Sequence, residues 1–555
     1  SDQVNAAQAL ARRLRDHDVD TVFGLPGEEN LAFVEALAET QIDLVVVRHE
    51  QHAAFMAATH GRLTGRPGVC LATLGPGALN LFTGLAHAQL GGMAVIAITG
   101  QKPRRNNEEG SFQVVDIVSA AEPITSLAVS IDDPNTVDAT VDMAFTVATS
   151  GRPAAVLIEL PEDVAEEPVH TLDQPVPVTS RPIADPELIS QATDLIKGAN
   201  RVVVLASSGA NSTESAPAVT RFAEHTGIGV LATQLGKGAI PESHPMSLRS
   251  LGIHRPDYAH LAIEPADVVV AVGYQPVEHP PLVWNPEHDK TIIHVAPWQA
   301  AIEPGYQPTI QLVGDIAATL DAIGDLLEPR DSAQVAAVHE TIEQLLEAEE
   351  AGADWPPSPL TVVRAVRQAM GPDDVVALDN GAYKIWFARH YPVLAPNTLL
   401  LDNALATMGA GLGTAMAAAY LHSGNKVLAV CGDGGFMMNV QELETATRLE
   451  LDMTVLVVRD DAYGFIAWHQ DEQDRPRQGV KLTNPDFAHL AAAFGASAHR
   501  VDEDNPLDAT LAAALAESGL SVIDCPIDYS INEILDSDLY QLARKAHEDN
   551  GDNDE

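Results

Sequence analysis

Two short stretches of this 555-residue chain carry residue types that could hold a metal ion against an anion. One is Gly432-Asp433-Gly434-Gly435, which follows the apolar run Val427 to Cys431 and opens a helix-like segment. The glycines let the backbone come close to a ligand, and the helix start turns its free N–H groups toward it. A phosphate suits such a corner except for the charge of Asp433. A divalent cation removes the conflict, taking the carboxylate on one side and phosphate oxygens on the other. The second ligand is then expected at the neighbouring strand end, where Asp460 follows the run Thr454 to Val458. Taken singly, Asp433 reads as a helix cap and Asp460-Asp461 as a solvated turn. Two acids at adjacent strand ends favour the metal. A further acid, Glu50, lies just beyond the run Leu44 to Val47; alone it reads as a helix-start cluster with Arg48 and His49.

The elements that would position these residues alternate strand and helix. Val4, Ala7, Leu10, Ala11 and Leu14 recur at helical spacing, then Thr21 to Phe23 reads as a strand and Gly24-Leu25-Pro26-Gly27 as a turn. Further strands are expected at 69–73 and 93–98, then at 202–206, 268–272 and 291–295, and finally at 375–378, 427–431 and 454–458. This order predicts an α/β protein of three doubly wound parallel-sheet domains, over 1–172, 188–330 and 358–535, with an acidic tail at 536–555. The Pro-rich stretch Pro175 to Pro186 and the breaker Trp355-Pro356-Pro357-Ser358-Pro359 mark the linkers. In open parallel sheets, ligands bind at the carboxyl ends of strands, where all three acids fall.

Charge narrows the partners. The chain has 78 Asp and Glu against 32 Lys and Arg, a formal net charge of −46. Such a surface repels polyanions, so nucleic acid and anionic membranes are excluded as partners. Only eight of the bases are lysine, and most acids lie within segments of good hydrophobic periodicity, the pattern of a halophilic surface that needs salt to screen its self-repulsion. Cys70, Cys431 and Cys525 are too far apart for a zinc site or a disulfide framework. The absence of a secretory signal and of any long apolar run predicts a cytoplasmic protein.

Gly432-Asp433-Gly434 followed after 24 residues by Arg459-Asp460 resembles the signature of thiamine-diphosphate enzymes, where GDG is followed at similar distance by Asn-Asn. Here Arg459 and Asp460 stand for the two asparagines, and aspartate is at least as good a ligand for Mg²⁺. The resemblance extends along the chain. Val47-Arg48-His49-Glu50-Gln51, Leu74-Gly75-Pro76-Gly77, Ile98-Thr99-Gly100-Gln101 and the run Asp402 to Leu412 are similar to the acetolactate synthase large (catalytic) subunit group. Val272 to Glu278 with Leu312 to Ile316 is similar to that group's catabolic, FAD-independent branch.

The resemblance implies pyrimidine-binding, central and diphosphate-binding domains, with thiamine diphosphate and Mg²⁺ as cofactors. Asp433, Asp460 and the Ala462 carbonyl would bind the metal; Gly432, Gly434, Gly435 and Tyr463 would line the cofactor. Glu50 would sit at the pyrimidine N1′ and drive the tautomer that activates the cofactor. Met408 would wedge the cofactor into its bent form and Ala406 would offer a carbonyl to its amino group. Phe112 and Gln113 would line the substrate pocket, and Gly27 and Glu28 would form the loop above the thiazolium of a neighbouring subunit's site. The implied reaction decarboxylates pyruvate and joins the remainder to a second 2-keto acid, giving 2-acetolactate, in a homodimer or homotetramer with active sites at the subunit interface. Two departures keep open another thiamine-dependent 2-keto acid decarboxylase or carboligase: Ser126 replaces the group's usual lysine, and Ala382-Tyr383 replaces its diphosphate-contacting pair, leaving Tyr383 or Lys384 for that task. FAD is not favoured, since Ala206-Ser207-Ser208-Gly209-Ala210 is a poor dinucleotide fingerprint.

Overall fold

Runs rich in Val, Ile and Leu, too short for helices and flanked by glycine or acidic turns, become strands covered on both faces. A computed structural model describes residues 4–108, 110–170, 175–253, 255–352, 355–422 and 424–551. Its eighteen named strands form three sheets of six, all parallel, as the strand–helix alternation requires. The chain divides into two compact units, the first comprising Ser1–Ser180, Ala404–Ser423 and Met437–Leu451, the second the remainder.

The first unit holds β1 (Thr21–Gly24), β2 (Asp43–Val46), β3 (Gly68–Ala72), β4 (Val95–Gln101), β5 (Leu127–Ser130) and β6 (Ala155–Pro161), in the order β2-β1-β3-β4-β6-β5. β3, β4 and β6 are buried along their whole length. One core face packs Val22, Val69, Leu71, Ile96, Ile98, Val156 and Ile158 against the helices Ala6–Asp16 and Val137–Thr149. The chain leaves β1 toward β2 on one side and returns to β3 on the other, so β1 and β3 flank the switch point where such sheets open a crevice.

The second unit holds two sheets. The central one comprises β7 (Val202–Ala206), β8 (Val230–Ala232), β9 (Ser247–Ser250), β10 (Val268–Val272), β11 (Thr291–Ala296) and β12 (Ile310–Val313), ordered β12-β11-β10-β7-β8-β9. The last comprises β13 (Val375–Leu378), β14 (Leu399–Leu400), β15 (Val427–Gly432), β16 (Met453–Arg459), β17 (Ser497–Arg500) and β18 (Leu520–Pro526), ordered β14-β13-β15-β16-β18-β17. A buried ion cluster ties these two sheets' surroundings together: Arg389 Nε is 2.5 Å from Asp257 and its Nη2 is 2.6 Å from Glu349.

One expectation changes. Most of the segment read as an acidic tail is a helix, Leu539–Gly551. Leu539 and Ala543, one turn apart, are buried, and His547 Nδ1 lies 3.1 Å from Thr341 Oγ1 on the helix Ala333–Ala348. The acids at its end mask a short apolar stripe that docks it. Residues 552–555 of that segment lie outside the described residues.

Candidate active site

In the second unit, β15 and β16 pair so that Gly432 lies opposite Val458. Asp433 directly follows β15 and Asp460 directly follows β16, which runs one residue further to Arg459, so the two acids leave adjacent strand ends next to the switch point between β13 and β15. Asp433 opens the helix Asp433–Met438 and is 1% exposed. Its Oδ1 accepts the Gly434 N–H at 3.1 Å, and its Oδ2 accepts the Asp461 N–H at 2.9 Å and the Asn484 amide at 2.6 Å. Asp461 adopts a left-handed φ of 56°, which suits a tight acidic turn and aims its N–H at Asp433. Asp460 lies against Gly464, where a Cβ would fall 2.1 Å from Asp460 Oδ2. Burial and the charge of Asp433 push the Asp460 carboxyl up to about 7, and burial also raises Asp433.

The raised Asp460 carboxyl, set beside the buried Asp433, is the test of whether a cation fits. A buried carboxylate facing a half-buried one is costly, and a divalent ion between them relieves the repulsion. Among the described residues no group of three or more His, Cys, Asp or Glu side chains is placed to hold a metal. The two acids suit an ion whose remaining ligands are a backbone carbonyl, water and phosphate oxygens, the usual habit of Mg²⁺. Ala462 turns its N–H toward Asp460, and its neighbour Tyr463 donates its N–H to the Val480 carbonyl at 2.8 Å, just before the helix Gly464–Glu472. Gly434 and Gly435 are buried at the start of the Asp433–Met438 helix. Gly432 donates its N–H to the Tyr383 hydroxyl at 3.0 Å, so Tyr383, fully buried, braces the glycine turn. Lys384 points elsewhere: its ammonium donates to Asn380 Oδ1, the Asp402 carbonyl and Asn403 Oδ1 at 2.7, 2.9 and 3.2 Å, and burial lowers it to about 8.

In the first unit, Glu50 is the first residue of the helix Glu50–Thr64, capped by His49, whose Nδ1 accepts the Gln51 N–H. Glu50 Oε2 accepts the Asn80 amide at 2.9 Å, and a Cβ on Gly77 would lie 3.1 Å from its Oε1 and 3.0 Å from Thr73. A Cβ on Gly27 would strike the same Thr73 at 2.4 Å. Gly27, Thr73, Gly77 and Glu50 thus crowd the carboxyl ends beside the switch point, leaving no room for larger residues at the glycines. Gln113 has a left-handed φ of 61°, and its carbonyl lies 2.3 Å from where a Gly75 Cβ would be. Phe112 beside it is 78% exposed. Ala406 also has a positive φ, 54°, and is exposed; Met408 is half-buried, just ahead of the helix Ala410–Leu421.

The sequence reading missed several residues. Asn80 and Asn484 hold Glu50 and Asp433, and Glu442 accepts the N–H groups of Arg48 and His49 at 3.1 and 3.0 Å. Each is remote in sequence from the group it supports, so no local spacing announces it.

Three family descriptions match the chain: the thiamine pyrophosphate enzyme N-terminal TPP binding domain over 4–120, the central domain over 189–323 and the C-terminal TPP binding domain over 379–525. An acetolactate synthase of Bacillus subtilis (strain 168) is 34% identical over 540 residues, 96% of this chain and 95% of that protein. A catabolic acetolactate synthase of Raoultella terrigena is 31% identical, covering 97% of each chain. The acetolactate synthase isozyme 2 large subunit of Escherichia coli (strain K12) is 30% identical, covering 95% of this chain and 96% of its own. With two carboxylates meeting at one strand-end crevice, and with these likenesses spanning nearly its whole length, the chain belongs to the acetolactate synthase family of thiamine pyrophosphate enzymes.

Proposed function

We propose that this enzyme decarboxylates pyruvate and joins the remaining two carbons to a second 2-keto acid, giving 2-acetolactate when that acid is also pyruvate. The observation that carries the reading is the facing pair Asp433 and Asp460 at the adjacent ends of β15 and β16, next to the β13/β15 switch point, a site suited to Mg²⁺ and a diphosphate. Thiamine diphosphate, when bound, supplies the carbon nucleophile and the electron sink for loss of CO₂. The protein's tasks are to hold and to protonate. Asp433 and Asp460 would hold the ion, and Asn484 orients Asp433 through the 2.6 Å hydrogen bond. Glu50, steadied by Asn80, would be the residue to share a proton with the cofactor's pyrimidine. Phe112 and Gln113 would bound the space left for the keto acid, with the Gly27 loop beside it, and Ala406 and Met408 would contact the cofactor. Gly432, Gly434, Gly435, Ala462 and Tyr463 complete the cofactor's surroundings.

We further propose that two or four chains assemble, each completing its neighbour's site, and that FAD has no part. Supporting the latter, the loops that follow β7 and β10 pack directly against one another: a Cβ on Gly209 would meet Gly273 Cα at 2.7 Å and the Trp298 ring at 2.8 Å. The test is metal-free protein given Mg²⁺ and thiamine diphosphate in molar salt, assayed for CO₂ and 2-acetolactate from pyruvate. Turnover of a different 2-keto acid with none of pyruvate would refute the substrate and support the second reading, another thiamine-dependent decarboxylase or carboligase. That reading draws on Ser126, whose hydroxyl is tied to Gln89 at 3.0 Å and offers no positive charge.

A further inference from the structure

The carboxyl end of β4 carries a cation that the proposed mechanism leaves unused. Lys102 directly follows that strand, and its ammonium lies 2.5 Å from Glu29 Oε1 and 6.0 Å from the centre of the Phe112 ring. Glu29 is 4% exposed, and its other oxygen accepts the Thr73 hydroxyl at 2.9 Å. Burial works to raise the Glu29 carboxyl, but Lys102 and Thr73 outweigh it and hold it ionised. Thr73 is the residue that crowds Gly27 and Gly77 beside Glu50. The preceding residue, Gln101, donates to the Val115 carbonyl at 3.1 Å and so closes the loop bearing Phe112 and Gln113. An ammonium is thus anchored by a buried carboxylate among the residues assigned to the substrate space. The bond to Glu29 takes one of its three N–H groups, and the side chain is 24% exposed.

We infer that Lys102 binds the carboxylate of the acceptor 2-keto acid, so that the site selects a small 2-oxo monocarboxylate over an aldehyde as the second substrate. The inference rests on the carboligase reading above. Chemistry separates the two substrates. The donor loses its carboxylate as CO₂, and a group gripping that carboxylate would stabilise the state the reaction must leave. The acceptor keeps its carboxylate into 2-acetolactate, so a cation can hold it from binding to product. Glu28 and Glu162 also face the ammonium and repel an incoming anion. Their repulsion acts at a distance and is screened by salt, whereas a direct N–H to carboxylate bond is a contact interaction. Ser126 gives no alternative cation.

The experiment uses the full chain with thiamine diphosphate, Mg²⁺ and pyruvate, reading 2-acetolactate formed per CO₂ released. Lys102→Met should lower that ratio, with acetaldehyde appearing instead, and raise the pyruvate concentration for half-maximal acetolactate formation about tenfold to a hundredfold. Lys102→Arg should restore the ratio. Because Lys102→Met leaves Glu29 buried without its partner, Lys102→Met with Glu29→Gln is the control, and it should show the same loss. A structural role would lower CO₂ and acetolactate together, and an unchanged ratio in either methionine variant overturns the inference. Absence of CO₂ release from pyruvate by the unaltered protein would instead overturn the function on which it rests.

Discussion

Asp460→Asn, made in protein freed of divalent ions by a chelator, should stabilise the fold increasingly as pH rises. Burial and the nearby Asp433 move the Asp460 carboxyl from an ordinary 3.8 to about 7 in the folded chain. Because the folded affinity for the proton is raised, the stability contributed by the neutral carboxyl is complete below about pH 4 and is lost as pH rises through about 7. At roughly 1.4 kcal/mol for each tenfold change in proton affinity, the full loss is about 4 kcal/mol. Asp460 is only half-buried and water screens the pair, so about 2 kcal/mol is the working figure. Asparagine keeps the shape without the charge. Urea unfolding followed by tryptophan fluorescence is suited to the assay, since Trp468 lies on the helix that follows Asp460. Run at pH 5 and pH 8 in the same molar salt, the variant's advantage should be larger at pH 8 by about 1–2 kcal/mol. Mg²⁺ should shrink the difference, because a cation between the carboxylates keeps both ionised at little cost. An advantage equal at both pH values, or one that Mg²⁺ leaves untouched, would refute the reasoning.

Gly464→Ala should weaken Mg²⁺ binding about tenfold to a hundredfold in titration calorimetry, since its Cβ would fall 2.1 Å from Asp460 Oδ2 and drive that carboxylate away. Asn484→Ala removes the 2.6 Å bond that orients Asp433 and should weaken the same binding by about tenfold. Glu50→Gln should slow CO₂ release by about a hundredfold or more while thiamine diphosphate still binds, as read by near-ultraviolet circular dichroism. With a net charge of −46, the unfolding temperature should climb as NaCl rises from about 0.1 M to molar levels, and a flat salt response would contradict a self-repelling surface.

Much of this architecture is written locally. The runs at 202–206, 268–272 and 375–378 are strands to the residue, because a parallel strand buried on both faces needs an unbroken apolar stretch. Asp433 and Asp460 could be paired from sequence for a related reason: each ends a strand, and consecutive strands of a doubly wound sheet lie side by side, as Gly432 opposite Val458 shows. What the sequence could not announce are partners brought from afar. Asn484 reaches Asp433 across 51 positions, Asn80 reaches Glu50 across 30 and Lys102 reaches Glu29 across 73. Tyr383 looked like a candidate for the diphosphate, yet its hydroxyl braces Gly432, and the acid-rich end of the chain hides the stripe of Leu539 and Ala543 that docks a helix. The sequence by itself determined the elements and the two acids at their ends, since periodicity and turn chemistry act over a few residues. Only the tertiary structure decided which polar groups steady those acids, since a hydrogen bond depends on atoms meeting in space and leaves no periodic trace along the chain.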